Sequence, residues 1–335
     1  MDLLKSRAGL ALGMAALACA SAARADDLRS AQALAESGAF LAHAETDAAF
    51  ARLDAARPDD KQPIPKAAVY WENGSASFGQ AERDGRLGSG GSTSVMRLGV
   101  DRDIGSGTIV GAAASAGFGD VSSGDLSAKT FAQNADIYGR LNRGPVFVKM
   151  LFGGSVFDFW SVDRGPEDGR SRASAFGYGF RAGSQIGATL TFDRIRITPT
   201  VGLAAYSNTS SAYRERGGEN PRSFAARTAR AAIGSFRLTG ARKVGLAPGH
   251  ELALEAFIGA EEVLAFKAGA LSSTDAFGAR ARLASVGSPN GRGVVGGVGA
   301  GTDLAPGVNL SVNYDYGRRD DLATHSSRAR LGVHF

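Results

Sequence analysis

The stretch Arg194-Ile195-Arg196-Ile197-Thr198-Pro199-Thr200-Val201-Gly202-Leu203-Ala204-Ala205 decides the fold class. Ile195, Ile197, Pro199, Val201 and Leu203 alternate with Arg194, Arg196, Thr198, Thr200 and Gly202, so a strand here has one oily face and one wet face. The same period separates Leu252, Leu254, Ala256 and Ile258 from Glu251, Glu255 and Gly259, and Leu310, Val312, Tyr314 and Tyr316 from Asn309, Ser311, Asn313 and Asp315. At the end of the chain Ala329, Leu331, Val333 and Phe335 alternate with Arg328, Arg330, Gly332 and His334. Weaker alternation passes through Met96, Leu98 and Val100, through 110–118, around Ala135, Ile137 and Leu141, and through Phe176, Tyr178 and Phe180. Gly- and Asp-rich turns at 103–107, 142–145 and 305–307 divide these runs. About twelve strands are predicted, with 276–286 the least distinct and 146–160 apolar on both faces.

Two environments produce such alternation. A soluble sandwich needs strands of about five or six residues, whereas a membrane-spanning strand needs about 9–11; the runs here are of the second kind. The wet face also carries full charges, at Arg97, Asp101, Asp136, Arg140, Arg194, Arg196, Glu251, Glu255, Arg328 and Arg330, which are the candidate lumen-facing residues. These charges would either tune the passage of a solute or extended polypeptide, or pair across strands and fill the bore. In lipid a sheet must close on itself to satisfy its backbone, so the expected fold class is all-β, a transmembrane antiparallel β-barrel of about 12 strands with a short N-terminal helical segment. Trp71, Trp160, Tyr206, Phe266, Tyr314 and Tyr316 lie near predicted strand ends and would supply interfacial aromatic girdles.

Composition agrees. The 335 residues include 38 Lys and Arg and 33 Asp and Glu, and mean hydropathy is -0.09, which excludes a bundle of spanning helices. Gly, at 46 residues, is far above ordinary usage, and its frequency on the polar face fits a wet or salt-bridged lumen. Charges are spread along the chain, with no basic block of the kind nucleic acid requires.

The chain divides into three parts. Residues 1–25 read as a signal peptide for Sec export: Lys5 and Arg7, a short apolar core, then Ala23-Arg24-Ala25. Cys19, the single cysteine, lies within it. Residues 26–66 begin with apolar residues at spacings of three and four (Leu28, Ala31, Leu34, Leu41, Ala44, Ala48, Phe50, Leu53), one or two helices that Gly38 would separate, and end in a linker holding Pro58, Pro63 and Pro65. This segment would plug the pore. Residues 67–335 form the barrel.

A search for chemistry gives little. The histidines His43, His250, His325 and His334 are scattered, and no metal or cofactor site is expected. Gly297-Val298-Gly299-Ala300-Gly301 reads as a glycine-rich strand, since no helix follows to receive a pyrophosphate. His325 with Asp320 and Asp321 is the local candidate for a rim hydrolase, without a nucleophile placed beside it, and 214–220 reads as a surface loop. A non-enzymatic chain is expected.

Several elements carry a family likeness: Trp71 and the Gly/Ser/Phe run to Gly79; Ser94-Val95-Met96-Arg97-Leu98-Gly99-Val100-Asp101-Arg102, with Ile109-Val110-Gly111 after a tight turn; Ile137-Tyr138-Gly139; Ile197-Thr198-Pro199-Thr200-Val201-Gly202-Leu203; and 329–335. In their order and spacing they resemble the translocator (β-barrel) domain of bacterial autotransporters. The resemblance spans 67–335 and implies a cell outer membrane location, a translocator or pore-like role, contact with outer-membrane lipid and recognition by the barrel-assembly machinery through the terminal aromatic, here Phe335. The family's pore helix has its counterpart in the helical segment. Only about 40 residues separate Ala25 from Ala67, so an expected passenger domain is missing between them, and cargo would be lost or separately encoded. A general surface porin or adhesin-like barrel is the alternative to a translocator.

Overall fold

The computed structural model describes residues 28–55, 66–83, 85–105, 107–165, 169–193, 195–218, 220–247, 250–285 and 291–335. The predicted signal peptide and most of the proline linker lie outside them. A 3-10 turn, Ser30–Gln32, leads into helix α1, Ala33–Ala55. The strands are β1 Ala67–Gln80, β2 Ser89–Asp103, β3 Ile109–Ser123, β4 Leu126–Arg143, β5 Val146–Arg164, β6 Ser171–Ala188, β7 Leu190–Phe192, β8 Ile195–Ser210, β9 Tyr213–Arg214, β10 Arg222–Phe224, β11 Arg227–Ala247, β12 His250–Ala268, β13 Leu271–Asp275, β14 Arg280–Leu283, β15 Arg292–Ala305, β16 Val308–Arg319 and β17 Leu322–His334.

Twelve of these, β1–β6, β8, β11, β12 and β15–β17, close into one antiparallel barrel. The seam closes where β1 meets β17, with Trp71 opposite Leu331, and the ring is completed between β8 and β11, with Val201 opposite Phe236. The predicted closed barrel is therefore the fold. The strands are longer than the alternating runs, reaching 21 residues in β11. Outward-pointing Phe118, Ile137, Phe180 and Ile258 are each more than 60% exposed, a band that only hydrocarbon would tolerate around the whole circumference.

The inner face is crowded, and this is where glycine is required. The Tyr70 ring lies over Gly99 and the Tyr138 ring over Gly111, each the register partner on the next strand, so close that a Cβ at either glycine would overlap the ring carbons. α1 stands within the barrel: Leu53 and Arg52 are fully enclosed, and the helix carries no single apolar face because the wall surrounds it on several sides. Gly38 does not divide it. The helix continues through this position, where Asn208 of β8 packs against Gly38.

One end of the barrel carries tight connections at 104–108, 144–145 and 306–307 and both ends of the barrel sequence. The other carries a lid of four short strands in the order β14-β13-β10-β9. The 276–286 region is thus no barrel strand; it supplies β14 of this lid, too short and too far from the wall ladder to span. Beneath the lid Leu28, Ala31 and Leu34 of the helical segment join Leu126, Phe157, Phe159, Tyr213, Phe224 and Leu271 in an apolar core, with Tyr213 stacked on Phe224 at 4.7 Å. Burial and the nearby Glu215 carboxylate push the Tyr213 phenol well above its usual range. Phe147, Leu151, Phe157 and Phe159 also explain why β5 is apolar on both faces: its inner face meets the helix and the lid core rather than water.

Candidate functional site

The lumen is the site, and its chemistry is a set of ion pairs between α1 and the wall. From the lid end downward, Glu36 meets Arg227 at 2.5 Å, His43 Nε2 meets Glu261 at 3.0 Å, Glu45 pairs with Arg97, and Asp47 meets Arg237 at 3.1 Å. Further down, Arg52 Nε donates to Asp101 at 2.6 Å, and Asp54 takes both Arg140 at 2.9 Å and Lys149 at 2.6 Å. Spacings of four and seven place Glu36, His43, Asp47 and Asp54 along one side of the helix and Glu45 and Arg52 along the other, where both meet β2.

Each candidate lumen residue can now be placed. Arg97 lies between Glu72, 3.0 Å away, and Glu45 of the helix. Asp101 receives Arg52, and its other oxygen lies 2.7 Å from the Tyr138 hydroxyl. Asp136 is held by Arg181 at 3.0 Å, Arg140 by Asp54, and Arg330 by Glu72 at 2.8 Å. Arg328 pairs with Asp315. Arg196 and Glu255 line a cavity beside the helix with Asp54 and Arg237. Glu251 sits at the barrel end opposite the lid, exposed and 3.3 Å from Lys243. Arg194 lies outside the described residues.

Two of the predicted girdle aromatics point the other way. Tyr206 is buried in the lumen, its hydroxyl 2.8 Å from His43 Nδ1, and Phe266 packs toward the same interior cluster. The β8 alternation itself gives the answer for Tyr206: with Val201 and Leu203 outward, residue 206 is inward. For Phe266 it does not, because a β-bulge in β12 beyond Val263 reverses the parity. Trp71 and Trp160, by contrast, are about half exposed on the outer wall, at 54% and 52%.

Sequence reading missed Glu72, Lys149, Arg181, Arg237 and Glu261. Parity along β1, β6, β11 and β12 would have found all but Lys149, which hides in the doubly apolar β5. The scattered histidines also conceal a cluster: His43, Asp47 and Glu261 bring donor atoms within 4.8 Å. Arg237 and Arg319, at 3.1 and 3.7 Å, already neutralise the two carboxylates, so the group reads as an ion network rather than a cation cage. His325 faces outward on β17, its Nδ1 2.8 Å from the Tyr314 hydroxyl and its ring beside Tyr316, an aromatic cluster and not a hydrolytic one.

The space left beside α1 is small. Two cavities beside it, one lined from β4 round to β17 and one by β1, β11, β12 and β15–β17, hold about 50 Å³ each, room for a few waters and no solute.

Comparison with known proteins agrees with this geometry. A family model described as the autotransporter beta-domain matches residues 70–315, from β1 into β16. Among solved structures, the chain is similar to the translocator domain of the autotransporter NalP from Neisseria meningitidis, at 20% identity and TM-score 0.70, covering 90% of this chain and 98% of that one. It is also similar to the beta domain of the Bordetella autotransporter BrkA, at 18% identity and TM-score 0.59, covering 80% of this chain and 100% of that one. A comparison with curated proteins finds no match. With the family model spanning well over half of its length, the chain belongs to the autotransporter beta-domain family and is an outer-membrane β-barrel of that type.

Proposed function

We propose that this barrel is a translocator that ends its work plugged by its own N-terminal segment, with α1 as the plug and the lid as its cover. The observation that carries this reading is the direction and anchorage of α1. The helical segment packs Leu28, Ala31 and Leu34 under the lid, and its last turn pairs with Arg140 and Lys149 near the opposite end, so the described chain begins at the lid. Outer-membrane barrels place short turns in the periplasm and longer connections outside, which makes the lid end extracellular. A chain that entered the bore from the periplasm and left by that mouth would rest in this orientation.

A general porin is the weaker reading, since the cavities beside the helix admit only water. On this proposal the chain has no catalytic role; its lumen carboxylates and cations serve as mutual partners. Export through Sec and insertion by the barrel-assembly machinery complete the scheme, with Phe335, outward and 70% exposed at the final strand, as the assembly signal.

Planar-bilayer recording tests the plug. The refolded full chain is expected to be silent, and deletion of residues 26–60 to open a steady conductance. Steady conduction by the full chain, unchanged by the deletion, overturns the reading. Phe277→Cys, at the tip of the lid and 96% exposed, should react with a membrane-impermeant maleimide on intact cells; protection there would invert the assigned orientation. Esterase and protease assays of the refolded protein should stay at background.

A further inference from the structure

The outer wall across β6, β8, β11 and β12 has a feature that neither plug nor lid explains. Ala205 is the register partner of Ala232, and side chains this small leave a shallow apolar groove beside the large Phe152 and Phe180, both more than half exposed. At the lid-side end of that groove stand Arg230 and Lys267. They are register partners on β11 and β12, both exposed, within a few residues of the lid-side strand ends at Arg227 and Ala268. Among the described contacts neither has a carboxylate partner. Two outward cations elsewhere at this end do have partners: Arg292 meets Glu262 at 3.1 Å, and Lys129 lies over the Trp160 ring at 5.4 Å.

Two cations on adjacent strands have side chains that start about 5 Å apart and can converge on one tetrahedral anion, the arginine by a fork of donors and the lysine as a point charge. Below them lies apolar surface where a hydrocarbon chain is the natural neighbour. We propose that the groove seats one phosphorylated glycolipid of the outer leaflet, its phosphate between Arg230 and Lys267 and an acyl chain over Ala205 and Ala232. This rests on the lid end being extracellular, which the Phe277→Cys labelling tests separately.

The test uses the full chain, refolded free of lipid in mild detergent, then incubated with lipid A, with its dephosphorylated form, with phosphatidylglycerol or with inorganic phosphate, and weighed by native mass spectrometry. One lipid A per barrel is expected, with the dephosphorylated form and phosphatidylglycerol bound weakly and inorganic phosphate failing to compete. R230Q/K267Q should lower occupancy about tenfold or more, R230K/K267R should restore it, and Ala205→Trp, which fills the groove and keeps both cations, should also lower it. Heat-modifiable gel migration confirms that each variant is folded. Equal occupancy in the Gln and Trp variants, or equal binding of phosphatidylglycerol, overturns the proposal. So does a loss of dimer on Ala205→Trp with lipid unchanged, which would give the groove to a second copy of the chain.

Discussion

Two arcs of the same wall treat the helix differently. The arc from β1 through β11 holds α1 closely: Arg97, Asp101, Arg140, Lys149, Arg227 and Arg237 all reach it, and Phe50 packs with Tyr70, Tyr138 and Leu151. The arc of β12 and β15–β17 stands off. There Glu261 reaches His43, but Arg328 serves Asp315, and two water-sized cavities border this arc beside the helix. A helix is about 10–12 Å across, narrower than the bore it occupies, so it must lean on one side, and the charges record which side. If α1 is the plug, the near arc is expected to hold the pore closed and the far arc to set only how the leftover space is filled.

The largest effect should come from breaking the near arc at its centre. Arg97 is 2% exposed and serves Glu72 on the wall and Glu45 on the helix together. Arg97→Met leaves Glu45 without its cation while Glu72 keeps Arg330, at a cost of about 3 kcal/mol. The barrel should lose its heat-modifiable fold at a markedly lower temperature, and bilayer recordings should show openings absent from the parent chain. A silent, equally stable variant would mean that Arg97 is not a shared anchor.

Pushing instead of unpairing should act more selectively. A Cβ on Gly183 would lie 3.0 Å from the Phe50 ring and 3.3 Å from Thr46 Cγ2, both on α1. Gly183→Leu should therefore cost about 1–3 kcal/mol by overpacking and displace the helix, raising conductance more than its stability cost would suggest. Arg328→Met on the far arc gives the contrast. It leaves Asp315 with Ser326 at 3.2 Å, costs about 1–2 kcal/mol, and should leave the pore silent. Opening by Arg328→Met but not by Gly183→Leu would reverse the assignment of the two arcs.

The outer half of this architecture was legible in the sequence and the inner half only partly so. Lipid imposes a period of two without exception over Ile195 to Leu203 or Leu310 to Tyr316, because every outward side chain meets the same solvent. The inside has no such uniformity. Leu151 faces the helix, Glu255 a cavity and Leu271 the lid core, so residue type alone does not mark an inward position. The pairs themselves join residues as distant as Asp47 with Arg237 and His43 with Glu261, a connection that depends on how the helix sits and not on any local spacing. The lid was missed for a related reason: β9, β10, β13 and β14 are only two to five residues long, too short to show a period.

The smallest expected effect is also the sharpest check on the standing-off arc. Gly301 of β15 is uncrowded: a methyl group added there would find its nearest atoms, the Leu310 carbonyl oxygen and Ser311 Cβ, each at 3.4 Å. That is ordinary contact, so Gly301→Ala should change stability by less than about 0.5 kcal/mol and leave conductance untouched. Gly111, on the near arc, differs only in what faces it: the Tyr138 ring already occupies the place a methyl would take. Gly111→Ala should displace that ring from Asp101 and loosen the Arg52 anchor behind it. Equal thermal stability for the two alanine variants would show that the crowding of the near arc is absorbed by side-chain motion, and that the helix is held by charge alone.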